Sequence, residues 1–181
     1  MTVRRVLVAN VNGTSQVVAD GAAPRSAAAS ATPGFEQALI WSTTATPSLT
    51  DATDATPEVA SFVPGPGETR AICLTIPPDT VFADPAFDPA AANEEFARNS
   101  PGMAEFFEPD APGMHTTPTV DYAVVVQGEL WLETTQGETP LRAGDVVVQV
   151  GTRHAWRNKG TVPATMFGVI IGAAAEPAGS S

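Results

Sequence analysis

The sequence predicts an all-β domain, a barrel or sandwich built from short strands joined by tight turns. Short β-rich apolar runs recur at regular spacing through the second half of the chain: Tyr122 to Gln127, Leu130 to Leu132, Val146 to Val150 and Ala164 to Ile171. Turn sequences separate them: Gly128-Glu129, Gln136-Gly137 and Ala143-Gly144-Asp145. Strands of this length and spacing are typical of jelly rolls and barrels.

Both histidines of the chain border these strands, and the chain has only 2 of them. His115 precedes the run that begins at Tyr122, and His154 follows the Gly151-Thr152 turn. In a closed sheet, residues this far apart in sequence can converge on one site.

The segments around the two histidines resemble the two sequence motifs of the cupins. The first motif is matched by His115, Thr117, Asp121 and Gly128, and the second by Gly144-Asp145, Gly151, His154 and Asn158. The departures are Thr117 in place of a second histidine, a second motif one residue short between turn and histidine, and Gln149-Val150 where proline is common. The resemblance implies a cupin double-stranded β-helix, or jelly-roll barrel, with added N-terminal strands and a short helical insert.

The resemblance also implies a metal site. Carried over by position, the cupin ligands become His115, Thr117, Asp121 and His154, and Thr117 is a poor ligand. Two imidazoles and one carboxylate are the donor set of a facial-triad site for a divalent transition metal: iron, manganese, nickel or zinc. Asp121 faces inward or outward depending on the phase of its strand, and it is a ligand, a partner of a ligating histidine or a solvated turn residue.

Aromatic and basic side chains near the histidines are candidates for substrate binding. Tyr122 and Trp156 stack on a substrate or belong to the core. Arg153 binds an anionic substrate or forms a surface ion pair. Phe106 and Phe107 lie in a helical stretch before His115, where they cover a ligand or cap the sheet as ordinary core.

Composition excludes several classes of function. The 181 residues are expected to form one domain, and the formal net charge of −11 argues against nucleic acid and anionic membrane surfaces as partners. Cys73, the single cysteine, lies among apolar residues and is expected to be a core thiol in a reducing compartment. The apolar run near the N-terminus is too short for a signal sequence or a membrane span, so we expect a cytoplasmic protein.

The single domain divides into four segments. Residues 1–83 carry N-terminal strands and a long loop, with a hairpin at Asn12-Gly13 and a strand from Arg70 to Ile76. Gly21 to Pro33 is expected to be a loop or an irregular edge, and Thr43 to Pro66 a surface connection. Residues 84–113 form a helical insert or lid, residues 114–171 hold the motifs and the barrel, and residues 172–181 form a flexible tail.

Three functions remain open at this stage. The first is a metal-dependent oxidoreductase, dioxygenase or decarboxylase acting on a small organic acid or a phenolic, polyketide-like metabolite. The second is a metal-free lyase or isomerase that uses histidine as acid and base. The third is a non-catalytic metabolite-binding protein. The resemblance further implies a homodimer, which would cover the exposed edge of the N-terminal strands.

Overall fold

The computed structural model describes residues 3–50 and 53–174, and it consists mainly of antiparallel strands. Eleven strands are present: β1 (Arg4–Val11), β2 (Thr14–Ala22), β3 (Arg25–Ala28), β4 (Glu36–Thr43), β5 (Thr69–Ile76), β6 (Thr119–Gln127), β7 (Glu129–Thr134), β8 (Gly137–Arg142), β9 (Val146–Val150), β10 (Ala155–Arg157) and β11 (Ala164–Gly172). The described α-helix is α1 (Pro89–Asn99), and short 3₁₀ turns lie at Thr56–Glu58, Asp79–Val81 and Ala104–Phe106. The predicted all-β class is confirmed.

Two facing sheets form the barrel. The larger sheet has the order β3-β4-β5-β11-β6-β9, and the smaller has the order β10-β7-β8. Isolated bridges pair His115 with His154 and with Phe107, so the extended segment at His115 continues the smaller sheet beyond β10. The strands from β5 to β11 therefore wind as a double-stranded β-helix, the jelly-roll arrangement.

The hydrophobic core fills one part of the space between the sheets. Its buried side chains come from both sheets: Ile76, Ala123, Val125, Leu130, Leu141, Val147, Ala164 and Met166. Leu130 is completely buried, with 0% exposure. Gly128, at φ +80°, makes the turn into β7, and a Cβ there would lie 2.9 Å from the Cβ of Ala164. Glycine is required at this turn by both backbone angle and space.

The N-terminal hairpin forms as the sequence predicts. Strands β1 and β2 pair antiparallel, and Asn12 and Gly13 between them have φ of 51° and 79°. These two left-handed residues match a type I′ hairpin turn. The valines of this hairpin are exposed, among them Val8 at 56% and Val17 at 59%.

Two predictions of local structure need correction. Residues 21–33, expected to be a loop or an irregular edge, contain regular strand: β2 extends to Ala22, and β3 pairs with β4 from Arg25 to Ala28 at the edge of the larger sheet. Alanine and serine have little intrinsic preference for strands, so this segment is a strand because it pairs with the edge of the large sheet. The tail does not begin at residue 172, since Gly172 is the buried last residue of β11. Residues 175–181 of that predicted tail lie outside the described residues.

The helical insert and the core thiol agree with expectation. Helix α1 begins after Asp88, whose carboxylate accepts hydrogen bonds from the backbone N–H groups of Ala90 and Ala91. This is an N-cap, and Pro89 at the first helical position reinforces it. Cys73 is buried at 9% exposure, and burial raises the pKa of its thiol. Among the described residues, no helix is both long and apolar enough to cross a membrane.

Candidate functional site

The two histidines lie side by side because their backbones pair directly. The N–H of His115 donates to the carbonyl of His154 at 2.9 Å, and the N–H of His154 donates back at 3.0 Å. Residues that exchange both hydrogen bonds present their side chains on the same face of a sheet. The ring centroids are 4.2 Å apart, and the residues are only 7% and 3% exposed.

Both imidazoles are oriented by the main chain. Nδ1 of His115 lies 3.0 Å from the carbonyl oxygen of Gly113, and Nδ1 of His154 lies 2.9 Å from that of Thr152. A carbonyl oxygen only accepts, so each Nδ1 carries the proton. In the neutral ring Nε2 is then left with an unprotonated lone pair, which can accept a proton or bind a metal.

Burial keeps both rings neutral at physiological pH. Desolvation, together with the neighbouring His154, lowers the pKa of His115 to about 4. Desolvation also lowers the pKa of His154, with partial opposition from its bond to Thr152 and from the charge of Asp121. The pair therefore presents two bases rather than two cations at pH 7.

Asp121 faces inward, which fixes the phase of its strand, while its role as a metal ligand or as a partner of a ligating histidine stays a prediction. Its neighbours on the same face of β6 are Thr119 and Ala123, both buried. The Thr119 hydroxyl bonds Asp121 and also lies 2.7 Å from the hydroxyl of Thr117. The other carboxylate oxygen, Oδ1, is buried without a hydrogen-bond partner. Burial raises the pKa of this carboxyl.

Gln149 is a site residue that the sequence analysis does not identify. It pairs with Asp121 across β6 and β9, it is 5% exposed, and its Nε2 atom is buried without a hydrogen-bond partner. A signal was available: Gln149 interrupts a run of valines at a position of the same phase as the buried Val147. A polar residue at a core-facing strand position is informative in itself.

These polar groups border a cavity of about 1050 Å³ between the sheets. Much of its remaining wall is apolar and aromatic: Phe35, Phe62, Phe82, Phe87, Phe96, Phe107, Ile72, Leu74 and Met103. The cavity is at the upper end of the usual size for small-molecule sites, and it has the usual apolar lining with a few polar groups.

Aromatic rings lead from helix α1 to the histidines. Phe96 of α1 contacts Phe107 edge to face at 5.3 Å, and Phe107 stacks on His115 at 4.6 Å with 26° between the planes. Trp156 lies edge-on to His154 at 6.1 Å. The helical insert thus supplies part of the wall next to the imidazole pair.

The predicted substrate-binding residues divide into two groups. Phe107 and Trp156 border the cavity, and Trp156 also packs against the core. Tyr122 borders it as well, but its side chain is 50% exposed because it alternates with the inward-facing Asp121. A role of Tyr122 in substrate binding stays a prediction.

Phe106 and Arg153 are not among the residues that line the cavity. Phe106 ends the short 3₁₀ turn before Phe107, and it is Phe107 that pairs with His115. Arg153 donates two hydrogen bonds to the carboxylate of Glu108, at 2.6 and 2.7 Å. This guanidinium is committed to an ion pair, the alternative that the sequence left open.

The predicted metal ligands are only partly brought together. Among residues 3–50 and 53–174, no group of three or more His, Cys, Asp or Glu side chains is placed to hold a metal ion. The imidazole pair, with each Nδ1 fixed by a carbonyl, has the donor chemistry of a metal site, and Asp121 has an unpartnered oxygen. The donors suit a metal in kind, but the three-donor facial triad is not assembled.

Asn158, the last residue of the second motif, has a structural role. Its side chain, 1% exposed, donates hydrogen bonds to the carbonyls of Ile76 and Val162, both at 2.9 Å, and accepts one from the N–H of Gly160. These bonds fix the loop that follows the histidine strand.

Comparisons with known proteins point to a shared segment rather than a shared whole. No protein-family model matches the chain. It is 56% identical over 48 residues to oryzines biosynthesis cluster protein J of Aspergillus oryzae, which is 26% of this chain and 27% of that protein. It is 39% identical over 62 residues to the cupin-domain-containing oxidoreductase virC of Hypocrea virens, 32% of each chain. It is 51% identical over 47 residues to phomopsin biosynthesis cluster protein D of Diaporthe leptostromiformis, 25% of each chain. The chain thus matches only about a quarter to a third of the length of these relatives.

Solved structures resemble the chain at low sequence identity. A sugar phosphate isomerase of the cupin superfamily from Silicibacter pomeroyi covers 78% of this chain and 61% of its own, with a TM-score of 0.42 and 14% identity. The cupin domain of a transcriptional regulator from Enterobacter cloacae covers 57% of this chain and 80% of its own, with a TM-score of 0.35 and 14% identity. The sheet order is that of a double-stranded β-helix, the jelly-roll fold that the sequence predicts, and about a third of the chain is similar to a cupin-domain-containing protein.

Proposed function

We propose that this protein is an enzyme of specialised metabolism that moves a proton on a bulky organic molecule, with His115 and His154 as its acid and base. The observation that carries the proposal is the paired, buried and neutral state of the two imidazoles. Each Nδ1 is held by a backbone carbonyl, so each Nε2 is left as the reactive atom. The relatives named for oryzine and phomopsin biosynthesis clusters support the metabolic setting.

The cavity supports chemistry rather than simple storage of a ligand. A general base works best when it is unprotonated, fixed in orientation and close to the group it deprotonates. Both histidines meet the first two conditions, and both border the cavity. After one imidazole takes a proton, the second, with its ring centroid 4.2 Å away, is placed to share that proton or deliver it to another atom of the substrate. Isomerisation and elimination are the reaction classes that need such a pair.

The test is proton exchange observed on candidate substrates. Apolar ketones and enones with acidic C–H groups are incubated with the protein in deuterated buffer, and loss of the C–H signal is followed by NMR. We expect exchange with wild type, and rates at least about a hundredfold lower in His154→Gln and His115→Gln. Arg142→Gln, at an exposed residue of β8, serves as the control. Equal rates in the wild type and both histidine variants would refute the proposal.

A metal-dependent reaction is the second candidate, and the unpartnered Oδ1 of Asp121 favours it. In that case His115 and His154 would bind the ion through Nε2, with Asp121 beside them. A divalent iron, manganese, nickel or zinc ion would supply Lewis acidity or open positions for substrate and oxygen. Elemental analysis of protein purified without a histidine tag separates the candidates: stoichiometric metal that is lost in His154→Ala supports this one, and metal-free protein that still catalyses exchange supports the first.

A homodimer and a cytoplasmic location remain predictions. Sedimentation at working concentration tests the first, since a monomer there would contradict it.

A further inference from the structure

We propose that the side-chain amide of Gln149 binds the substrate, donating a hydrogen bond to a neutral carbonyl oxygen on an otherwise apolar organic molecule. The inference rests on the proposed function for the catalytic setting, but its evidence and its test concern binding alone.

Gln149 has a buried donor and no partner for it. The residue is 5% exposed and borders the cavity, and its Nε2 makes no hydrogen bond. Burying an amide without a partner is unfavourable, and such groups in folded proteins are nearly always satisfied. A ligand oxygen in the cavity would satisfy it.

The surrounding protein groups do not replace that ligand. Asp121 is the register partner of Gln149, yet its Oδ1 is also unpartnered, so the two side chains do not satisfy each other. The nearby hydroxyls of Thr117 and Thr119 are bonded together at 2.7 Å. The unpaired donor of Gln149 and the unpaired acceptor of Asp121 therefore lie next to each other, and both residues line the cavity that the imidazoles border.

Charge around the cavity selects a neutral acceptor over an anion. The cations among its lining residues are Arg157 and Lys159, which form ion pairs with Glu133 and Glu138. The acidic lining residues are Asp79, Glu108, Asp121 and Glu138. A carboxylate bound at Gln149 would lie next to Asp121 with no unpaired cation to balance it, whereas a ketone, ester or amide carbonyl meets no such repulsion.

The aromatic wall of the cavity determines which carbon skeleton the substrate has. The phenylalanine rings around Phe96 and Phe107 lead directly to His115, and rings of this kind pack edge-to-face or offset against a flat unsaturated group. The substrate class is therefore an unsaturated or aromatic carbonyl compound. Its oxygen binds at Gln149 while its conjugated body lies against the aromatic wall, which brings the atoms next to the carbonyl near the imidazole pair.

Three probes with one shared body test this assignment: cinnamamide, cinnamate and β-methylstyrene, titrated against the full chain at pH 7 by calorimetry or NMR. We expect wild type to bind cinnamamide about tenfold more tightly than β-methylstyrene, the value of one buried hydrogen bond. Cinnamate is expected to bind more weakly than cinnamamide. Gln149→Met, which keeps side-chain length and removes the amide, should weaken cinnamamide about tenfold and change β-methylstyrene by less than about twofold.

Gln127→Met is the matched control, because Gln127 is an exposed residue at the end of β6. It should change neither affinity. A direct measurement on wild type covers the case in which Gln149→Met does not fold: the side-chain amide signals of Gln149 should shift with cinnamamide and not with β-methylstyrene.

Equal binding of the two neutral probes by wild type would overturn the inference. So would unchanged cinnamamide binding in folded Gln149→Met, tighter binding of cinnamate than of cinnamamide, or no binding of any probe. Failure of the proposed function looks different, since cinnamamide would still bind through Gln149 while no histidine-dependent exchange occurred.

Discussion

The barrel has two levels along its strands: at one level side chains fill the space between the sheets, and at the other level that space is a cavity. At one level Val125 of β6 and Val147 of β9 meet Leu130 and Leu141 of the smaller sheet in a filled core. At the other level, Asp121 and Gln149 of the same two strands border a large cavity and carry unpartnered polar atoms. Along β6 and β9, the core residues and the cavity residues are therefore only two to four positions apart.

The comparison teaches where each kind of mutation should act. The filled level contributes burial of apolar surface and no reactive group, so its variants should change the free energy of unfolding. At the open level, Gln149 and Asp121 add little to packing, and their buried, unpartnered polar atoms lower the free energy of unfolding. Variants there should change ligand binding far more than folding.

The largest expected effect is on the filled level. Leu130→Ala removes a fully buried side chain and should lower the free energy of unfolding by about 2–5 kcal/mol. Urea unfolding measures it. Val148→Ala, at a position 60% exposed on β9 of the larger sheet, is the control and should cost less than about 1 kcal/mol. A similar loss in both variants would mean that the core is not where the structure places it.

The second-largest expected effect is the pH dependence of stability that His115, a residue of the open level, contributes. Burial holds the pKa of His115 near 4, against 6.5 for the free side chain, so the unfolded chain binds more protons between these values. Stability should therefore fall as pH is lowered from about 6.5 to 4, by about 3 kcal/mol from this residue. His115→Gln should lose this part of the pH dependence, which is measured as the difference between unfolding free energies at pH 7 and pH 4. An unchanged pH dependence would show that the ring is not held neutral by burial.

A smaller loss is expected at the loop that supports the histidine strand. Asn158→Ala leaves the buried carbonyl of Ile76, the carbonyl of Val162 and the N–H of Gly160 without their partner. We expect a loss of about 2 kcal/mol in the free energy of unfolding. Asn10→Ala, at an exposed position of β1, should change stability by less than about 0.5 kcal/mol. Equal stability of the two variants would contradict the structural role of Asn158.

The smallest effect is expected at Arg153. Its ion pair with Glu108 is partly exposed, with side-chain exposures of 36% and 37%, so Arg153→Gln should cost less than about 1 kcal/mol of stability. Binding of cinnamate should change by less than about twofold, because the guanidinium does not border the cavity. A tenfold loss of cinnamate affinity would restore Arg153 as an anion-binding residue.

Sequence patterns predicted the barrel because the turns and the alternation of the strands are local signals. Gly13 and Gly128 adopt positive φ angles because glycine has no Cβ, and Asn12 does so because asparagine tolerates this region better than most other residues. The two histidines were found because their spacing matches two motifs. The orientation of Tyr122 could not be predicted, because a one-residue change of phase moves a strand residue to the other face, and the sequence of β6 is apolar in both phases.

The aromatic wall depends on tertiary contacts that no local pattern records, and the local pattern around Gln149 indicates a core-facing polar residue without indicating its neighbours. Phe107 rather than Phe106 reaches His115, because the end of a 3₁₀ turn determines which of the two adjacent rings faces the cavity. Gln149 becomes a site residue only when β9 pairs with β6 and places it beside Asp121. The strand at Arg25–Ala28 likewise exists through its pairing with β4.

The most direct test of the central claim is long-range ¹H–¹⁵N NMR of the two imidazole rings at pH 7, without added ligand. We expect His115 and His154 both to be neutral, with the proton on Nδ1 and a free lone pair on Nε2. A charged ring, or a proton on Nε2 of either histidine, would contradict it.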